Sequence, residues 1–369
     1  MPSSGARQPS AGPRELRVVA IGGGTGLSTL LKGLKKYVPA PPRSYSHKLD
    51  DSGPAELAAA MAPVAIGELA AVVTVSDDGG SSGRLRKELN MLPPGDVRNC
   101  IVALSEDEAL LSKLFQHRFE KGTGLEGHSF GNLFLAALTS LTGDFSESVR
   151  LSSEILATRG HIYASTTANI ELEALMEDGS HVRGETKITA SKGRIVELFL
   201  VPQNPGPLAK TLDAIARADL ITIGPGSLFT SLIPNLLVRG IPEAIRESSA
   251  IKVYVCNLMT QANESLGRTA ADHIRALNDH ARCQIFDYAM INRTPVSDDV
   301  KARYALEGAS QIVADMDAIE AIGVCPVLGD YLSEDNEDNV VRHDTDCVAK
   351  DLLQLAVTGS TPARKSALK

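Results

Sequence analysis

The chain has 369 residues, 43% of them hydrophobic, and a net charge of -8: enough for a large core in one domain or a domain with an insert, and too acidic for general affinity to nucleic acid or an anionic membrane. Aromatic residues make up 4% with no tryptophan, which leaves few platforms for base stacking, and five scattered cysteines without a C-x-x-C pair fit reduced thiols better than a disulfide framework or a zinc site. No apolar run reaches the length of a membrane span and MPSSGARQPSAGPR at the start carries no signal-type core, so a cytoplasmic protein without membrane insertion is expected.

Residues 1–14, rich in Ser, Pro and Gly, are expected to be disordered. Leu16, Val18, Val19, Ala20 and Ile21 then form a short apolar run suited to a parallel strand buried on both faces. Gly22, Gly23, Gly24, Thr25 and Gly26 follow, and Leu27, Leu30, Leu31 and Leu34 return at helical spacing. A strand, a glycine turn and a helix N-terminus make a seat for phosphate or another anion. The third glycine of a dinucleotide fingerprint is missing in either frame, and there is no P-loop Gly-Lys-Ser/Thr. Residues 40–67 break the periodicity and are expected to be a surface insertion. Leu69–Val75 reads as a second buried strand, running into Asp77, Asp78, Ser81 and Arg84. At the carboxyl end of a strand, Asp77 or Asp78 is a candidate for a ribose hydroxyl or for a magnesium ion. Arg84 and Arg86 are candidates for a phosphate or for a solvated helix face. In LPPGDVRN, Asp96 is expected to cap a helix, with Arg98 and Asn99 in its first turn touching ligand.

Glu106–Phe119 is expected to be helical, and a glycine-rich stretch with His128, Ser129 and Asn132 leads into Leu133–Leu141, apolar nearly all round and expected to be buried. From 160 to 201 the pattern shifts to period two, with a turn at Asp178-Gly179, and predicts an inserted antiparallel meander whose glutamates face solvent. The α/β rhythm resumes with a helix over Pro207–Ala218 and a strand over Asp219–Ile223, followed by Gly224, Pro225, Gly226 and Ser227 opening another helix. A second turn of this build predicts a second anion seat, hence a ligand with more than one phosphate, or a nucleotide and an acceptor side by side. The strand Ile251–Cys256 ends in Asn257, Thr260 and Gln261, whose amides are expected to read a base edge. A helix over Gly267–Arg282, a strand over Gln284–Ile291, a polar segment with Arg303 and Tyr304, short strands at Val324–Val327 and Val340–Val341, and a helix over Val348–Val357 capped by Asp344 or Thr345 close the domain. The tail 358–369 is expected to fray. The fold class is therefore α/β: one domain over 15–357, with a mostly parallel sheet, helices on both faces and an antiparallel insert.

GGGTGLSTLLKGLKKY, VTVSDDGGSSGRLR, LPPGDVRN, GHSFGNLFLAAL, ITIGPGSLFTSLIPNLL and YVCNLMTQ, in this order, resemble the gluconeogenesis factor (CofD-like) family, which is similar in fold to 2-phospho-L-lactate transferase. The resemblance implies a Rossmann-like bacterial protein that binds a UDP-sugar such as UDP-N-acetylglucosamine and is linked to cell shape and growth on gluconeogenic carbon. It assigns Gly23, Gly24, Thr25 and Gly26 to a first turn, Asp77, Asp78 and Ser81 to a second loop, and Asn132, Gly226 and Ser227 to later site positions. Through YALEGA and VVRHDT it points to Tyr304 and Arg342 for the base and the diphosphate. In the family the first helix runs almost directly into the second strand, so the 40–67 insertion is a departure.

The candidate site is rich in amides and hydroxyls and shows no nucleophile paired with a base, which favours a nucleotide-binding regulator without turnover. The alternative is a magnesium-dependent transferase resembling the phospholactate enzyme, with the metal at Asp77 and Asp78. A homo-oligomer is expected. Both readings require the two glycine turns to meet in one crevice.

Overall fold

The computed structural model describes residues 14–39, 64–106, 109–191, 193–334 and 340–359. Residues 1–13, most of the expected 40–67 insertion and the tail beyond 359 lie outside the described residues. Arg14 belongs to the first strand and Thr358 to the last helix, where the sequence predicted the end of a disordered start and the beginning of a frayed tail.

The strands are β1 (Arg14–Gly22), β2 (Val64–Val73), β3 (His161–Ala164), β4 (Glu171–Met176), β5 (His181–Arg183), β6 (Ile195–Val201), β7 (Leu220–Ile223), β8 (Ile251–Val255), β9 (Tyr288–Asn292), β10 (Cys325–Gly329), β11 (Leu332–Ser333) and β12 (Arg342–His343). Seven of them make one parallel sheet in the order β10-β9-β8-β7-β1-β2-β3. β1 lies at its centre because its apolar run has no polar face to show: Leu16, Val18, Val19, Ala20 and Ile21 are each at most 2% exposed. At ~1.5–3 kcal/mol for each fully buried large aliphatic side chain, that run anchors the core. From β1 the chain winds outward one way through β2 and β3 and the other way from β7 to β10, so the winding reverses between β1 and β7. A reversal of this kind opens a crevice at the carboxyl ends of the two strands, the usual place for a ligand in such sheets.

The helix Gly24–Lys35 buries Leu27, Leu30, Leu31 and Leu34, the face anticipated from their spacing. Its Gly33 touches the closing helix Thr345–Thr358 so closely that a Cβ there would lie 2.3 Å from the Thr345 carbonyl oxygen. Asp344 caps that closing helix, accepting from the amides of Asp346 and Cys347.

Several boundaries differ from the sequence expectation. β3 is the edge strand of the main sheet, not part of the insert. The insert has the order β5-β4-β6, with β4 at the centre rather than an in-order meander. The cause is local: after β5 the chain turns at Gly184, whose φ is +102°, into the helix Glu185–Ala190, which returns the chain to the far side of β4. That helix falls within the 160–201 stretch, whose period-two pattern predicts strands. The helix over Leu133–Leu141 runs from Phe130 to Thr142 and is not buried all round, since Leu141 is 82% exposed. Asp96 does not cap its helix, which starts at Gly95 behind Pro94.

Candidate functional site

A cleft of about 450 Å³ opens above the ends of β1, β7 and β8, lined on one side by Gly23, Gly24, Thr25 and Gly26 and on another by Pro225, Gly226 and Ser227. The two turns touch: a Cβ on Gly26 would stand 2.3 Å from the Pro225 carbonyl oxygen and 3.0 Å from the Gly226 Cα. Backbone packed on backbone at this distance explains why glycine is required there. The expected meeting of GGGTG and GPGS in one crevice is what the geometry shows.

The first turn keeps donors for a ligand. Gly24 gives its amide to the carboxyl of Asp96, which enclosure in this packed corner pushes up to about 6. Thr25 and Gly26 follow in the first turn of the helix, where amides have no acceptor within the helix, and both line the cleft. A phosphate oxygen is the natural partner for such amides.

The second turn is built otherwise than expected of an anion seat. The Gly226 amide donates to Asn257 Oδ1 at 3.0 Å, and Asn257 Nδ2 donates back to the Gly226 carbonyl at 2.7 Å. The Phe229 amide and the Thr230 hydroxyl donate to the two carboxylate oxygens of Glu264 at 3.1 and 2.8 Å. An internal carboxylate thus holds the start of the π-helical turn Leu228–Leu232, and Asn257 is spent on bracing Gly226 rather than on reading a base. Thr260 likewise pairs with the backbone of Ser310. Gly224, at φ +83° with Val255 oxygen 2.7 Å from where a Cβ would be, makes the tight exit from β7 and does not line the cleft.

The far wall is supplied by Tyr304, Val340, Val341, Arg342 and His343. Tyr304 accepts the Val341 amide at its hydroxyl and packs with Leu258, Met259, Val296 and Val300. His343 Nε2 donates to the Cys256 carbonyl at 3.0 Å, and burial lowers its imidazole to about 4, so it is neutral near pH 7. Arg342 and Tyr304 therefore line the same cleft as the GGGTG turn.

The remaining sequence candidates form a second layer that does not line the cleft. Asp77 accepts the Gly79 amide at 2.9 Å, and Asp78 accepts both the amide and the hydroxyl of Thr186, fastening the insert to the main sheet. As a magnesium site the pair fits poorly: Asp78 is committed to that fastening, and among the described residues no group of three or more His, Cys, Asp or Glu side chains is placed to hold a metal. Ser81 Oγ lies 2.9 Å from Nδ1 of the buried His128, and Asn132 donates to Ser82. Arg98 packs along Gly131 and donates to Asn99 Oδ1, so this pair braces two helices. Arg84 holds the carbonyls of Gly124 and Glu126, while Arg86, 6% exposed, donates to the carbonyls of Ser76 and Ile170; neither lines the cleft.

With this geometry in place, residues 18–332 match a family profile described as 2-phospho-L-lactate transferase CofD. The chain belongs to the CofD family. It is similar to the gluconeogenesis factor of Halalkalibacterium halodurans, 47% identical over 341 residues that cover 92% of this chain and 97% of that one. To the gluconeogenesis factor of Bacillus subtilis it is 45% identical, with 92% and 98% covered. A crystal structure of a Bacillus halodurans protein superposes with a TM-score of 0.82 at 46% identity, covering 92% of this chain and 100% of that one. The α/β fold with its small antiparallel insert is thus the fold of this CofD branch.

Three carboxylates of this CofD-family chain, Asp96 behind the first turn and Glu264 and Glu185 in the cleft, have roles that the sequence did not signal. Asp96 reaches Gly24 only because the helix Gly95–Leu104 packs beside the helix Gly24–Lys35, and Glu264 finds Phe229 from 35 positions further along the chain. Glu185 sits in a stretch whose alternation suggested a strand. Burial and the charges of Asp77, Asp96, Asp78 and Glu264 push its carboxyl up to about 9.

Proposed function

We propose that this protein binds a nucleoside diphosphate carrying a sugar, UDP-N-acetylglucosamine or a close analogue, and acts as a regulatory factor in growth on gluconeogenic carbon and in cell shape. One observation carries the reading: the first-turn amides of Thr25 and Gly26 face a cleft whose opposite wall bears Arg342 and Tyr304. In this reading the amides and Arg342 grip the diphosphate, which is acceptor-only and charged, and Tyr304 with its apolar neighbours receives the base. The names of the relatives support the metabolic role. Isothermal calorimetry with UDP-N-acetylglucosamine tests it; binding to one site is expected, and no heat at millimolar ligand rejects it.

A second reading draws on the family profile's own description, a 2-phospho-L-lactate transferase. Positioned backbone donors can stabilise charge at phosphorus without a covalent intermediate. Turnover of a nucleotide-activated phospholactate with a deazaflavin acceptor in the presence of magnesium would replace the binding-only reading with this one.

A further inference from the structure

Two acceptors in the cleft have no protein donor, and one of them is fully buried. Gln261 gives its Nε2 to Ser227 Oγ at 3.1 Å, which leaves its Oε1 buried and without a partner. Glu185, from the first turn of the insert's helix, lines the same cleft, and among the described residues its carboxyl makes no hydrogen bond. Both are near the phosphate seat rather than the Tyr304 end. Glu185 is electrostatically coupled to Asp96, which holds Gly24, while Gln261 is bonded to the second turn through Ser227. The buried, orphaned Gln261 Oε1 costs about 1–3 kcal/mol, and a phosphate oxygen, being an acceptor itself, cannot relieve it. A group beside the phosphates that brings O–H or N–H donors relieves Gln261 and finds a second acceptor in Glu185.

We propose that this end of the cleft is a glycosyl subsite, in which hydroxyl hydrogens of a sugar on the distal phosphate are received by the Glu185 carboxyl and by Gln261 Oε1. The proposal rests on the nucleoside diphosphate reading above. It divides the labour by origin: the main sheet grips the nucleotide, and the insert reads what is attached to it. The insert is held for this purpose, since Asp78 caps the helix of Glu185 and Asn263 Nδ2 donates to the Thr189 carbonyl at 3.0 Å. The raised carboxyl of Glu185 is compatible with a neighbouring diphosphate, because in its protonated form it does not repel it.

The test compares UDP with UDP-N-acetylglucosamine by calorimetry, in EDTA and again with magnesium, on the wild type, Glu185→Ala, Glu185→Gln and Gln261→Ala. Wild type is expected to prefer the glycosylated ligand. Each alanine variant should cut the ratio of the two affinities by roughly fivefold to tenfold, the size of one or two lost hydrogen bonds. Glu185→Gln, which keeps an acceptor and the shape, should retain most of the ratio and shows that a folded cleft was measured. An unchanged ratio in both alanine variants, or a loss that appears only with magnesium, overturns the subsite. A wild type that binds UDP and its sugar equally also overturns it while leaving the nucleotide reading intact, whereas a wild type that binds neither removes that reading itself.

Discussion

Replacing Gly26 by alanine tests the meeting of the two turns directly. The added Cβ would lie 2.3 Å from the Pro225 oxygen, 2.7 Å from the Pro225 carbonyl carbon and 3.0 Å from the Gly226 Cα, all backbone atoms that cannot rotate aside. Ordinary contact begins near 3.4 Å, so the turns must part by about 1 Å. Overpacking of this kind costs ~1–3 kcal/mol, and the rigid surroundings put Gly26→Ala toward the upper end. Parting the turns also widens the phosphate seat, so affinity for UDP-N-acetylglucosamine should fall by an order of magnitude or more. Gly22→Ala is the control: its nearest neighbours are side-chain carbons of Leu232 and Leu27 at 3.5 Å, which leave room. Urea unfolding and calorimetry on both variants give the comparison. If Gly26→Ala unfolds and binds like Gly22→Ala, the two turns do not abut and the site has been built wrongly.

Arg342→Glu should abolish binding of the nucleotide sugar while the unfolding midpoint stays close to that of the wild type; retained affinity, measured by the same calorimetry, removes Arg342 from the site. Glu185 has its folded pKa raised from 4.5 to about 9, so its protonated form is favoured on folding: its contribution is full below about pH 4.5 and is lost as pH rises toward 9. Glu185→Gln should therefore gain stability over the wild type progressively across that window in urea midpoints taken against pH, and parallel profiles would count against the buried position. His280 Nε2 accepts the Leu198 amide at 3.0 Å while Nδ1 donates to the Ala276 carbonyl, tying the insert to the helix Ala270–Ala281, and burial lowers its pKa. Stability from this contact should be full above pH 6.5 and fall as the ring is forced to protonate in acid; His280→Ala should cost ~1–2 kcal/mol at pH 7.5 and flatten the acid limb.

The order of strands and helices and the first glycine turn were legible in the chain because each is written locally. Short apolar runs without alternation that end in glycine turns fit strands covered on both faces, and leucines at helical spacing after four glycines fit a helix starting beside a strand end. The six sequence blocks that resemble the family are the same local segments, which is why the resemblance and the fold agree. What the local pattern could not carry is who occupies a donor. GPGS has the composition of an anion seat, yet its Gly226 amide is taken by Asn257 and the Phe229 amide just beyond it by Glu264, residues brought there by the next strand and the loop after it. Asp78 looked free for a metal or a ribose and is instead the clasp of the insert. Glu185 looked like part of a strand, and its placement in the cleft depends on the turn at Gly184 and on that clasp. Backbone conformation follows from a few neighbouring residues, whereas hydrogen-bond pairing and burial depend on segments far apart in the chain. The sequence by itself determined the first glycine turn and the strand and helix it joins; only the tertiary structure decided which side chains stand beside it.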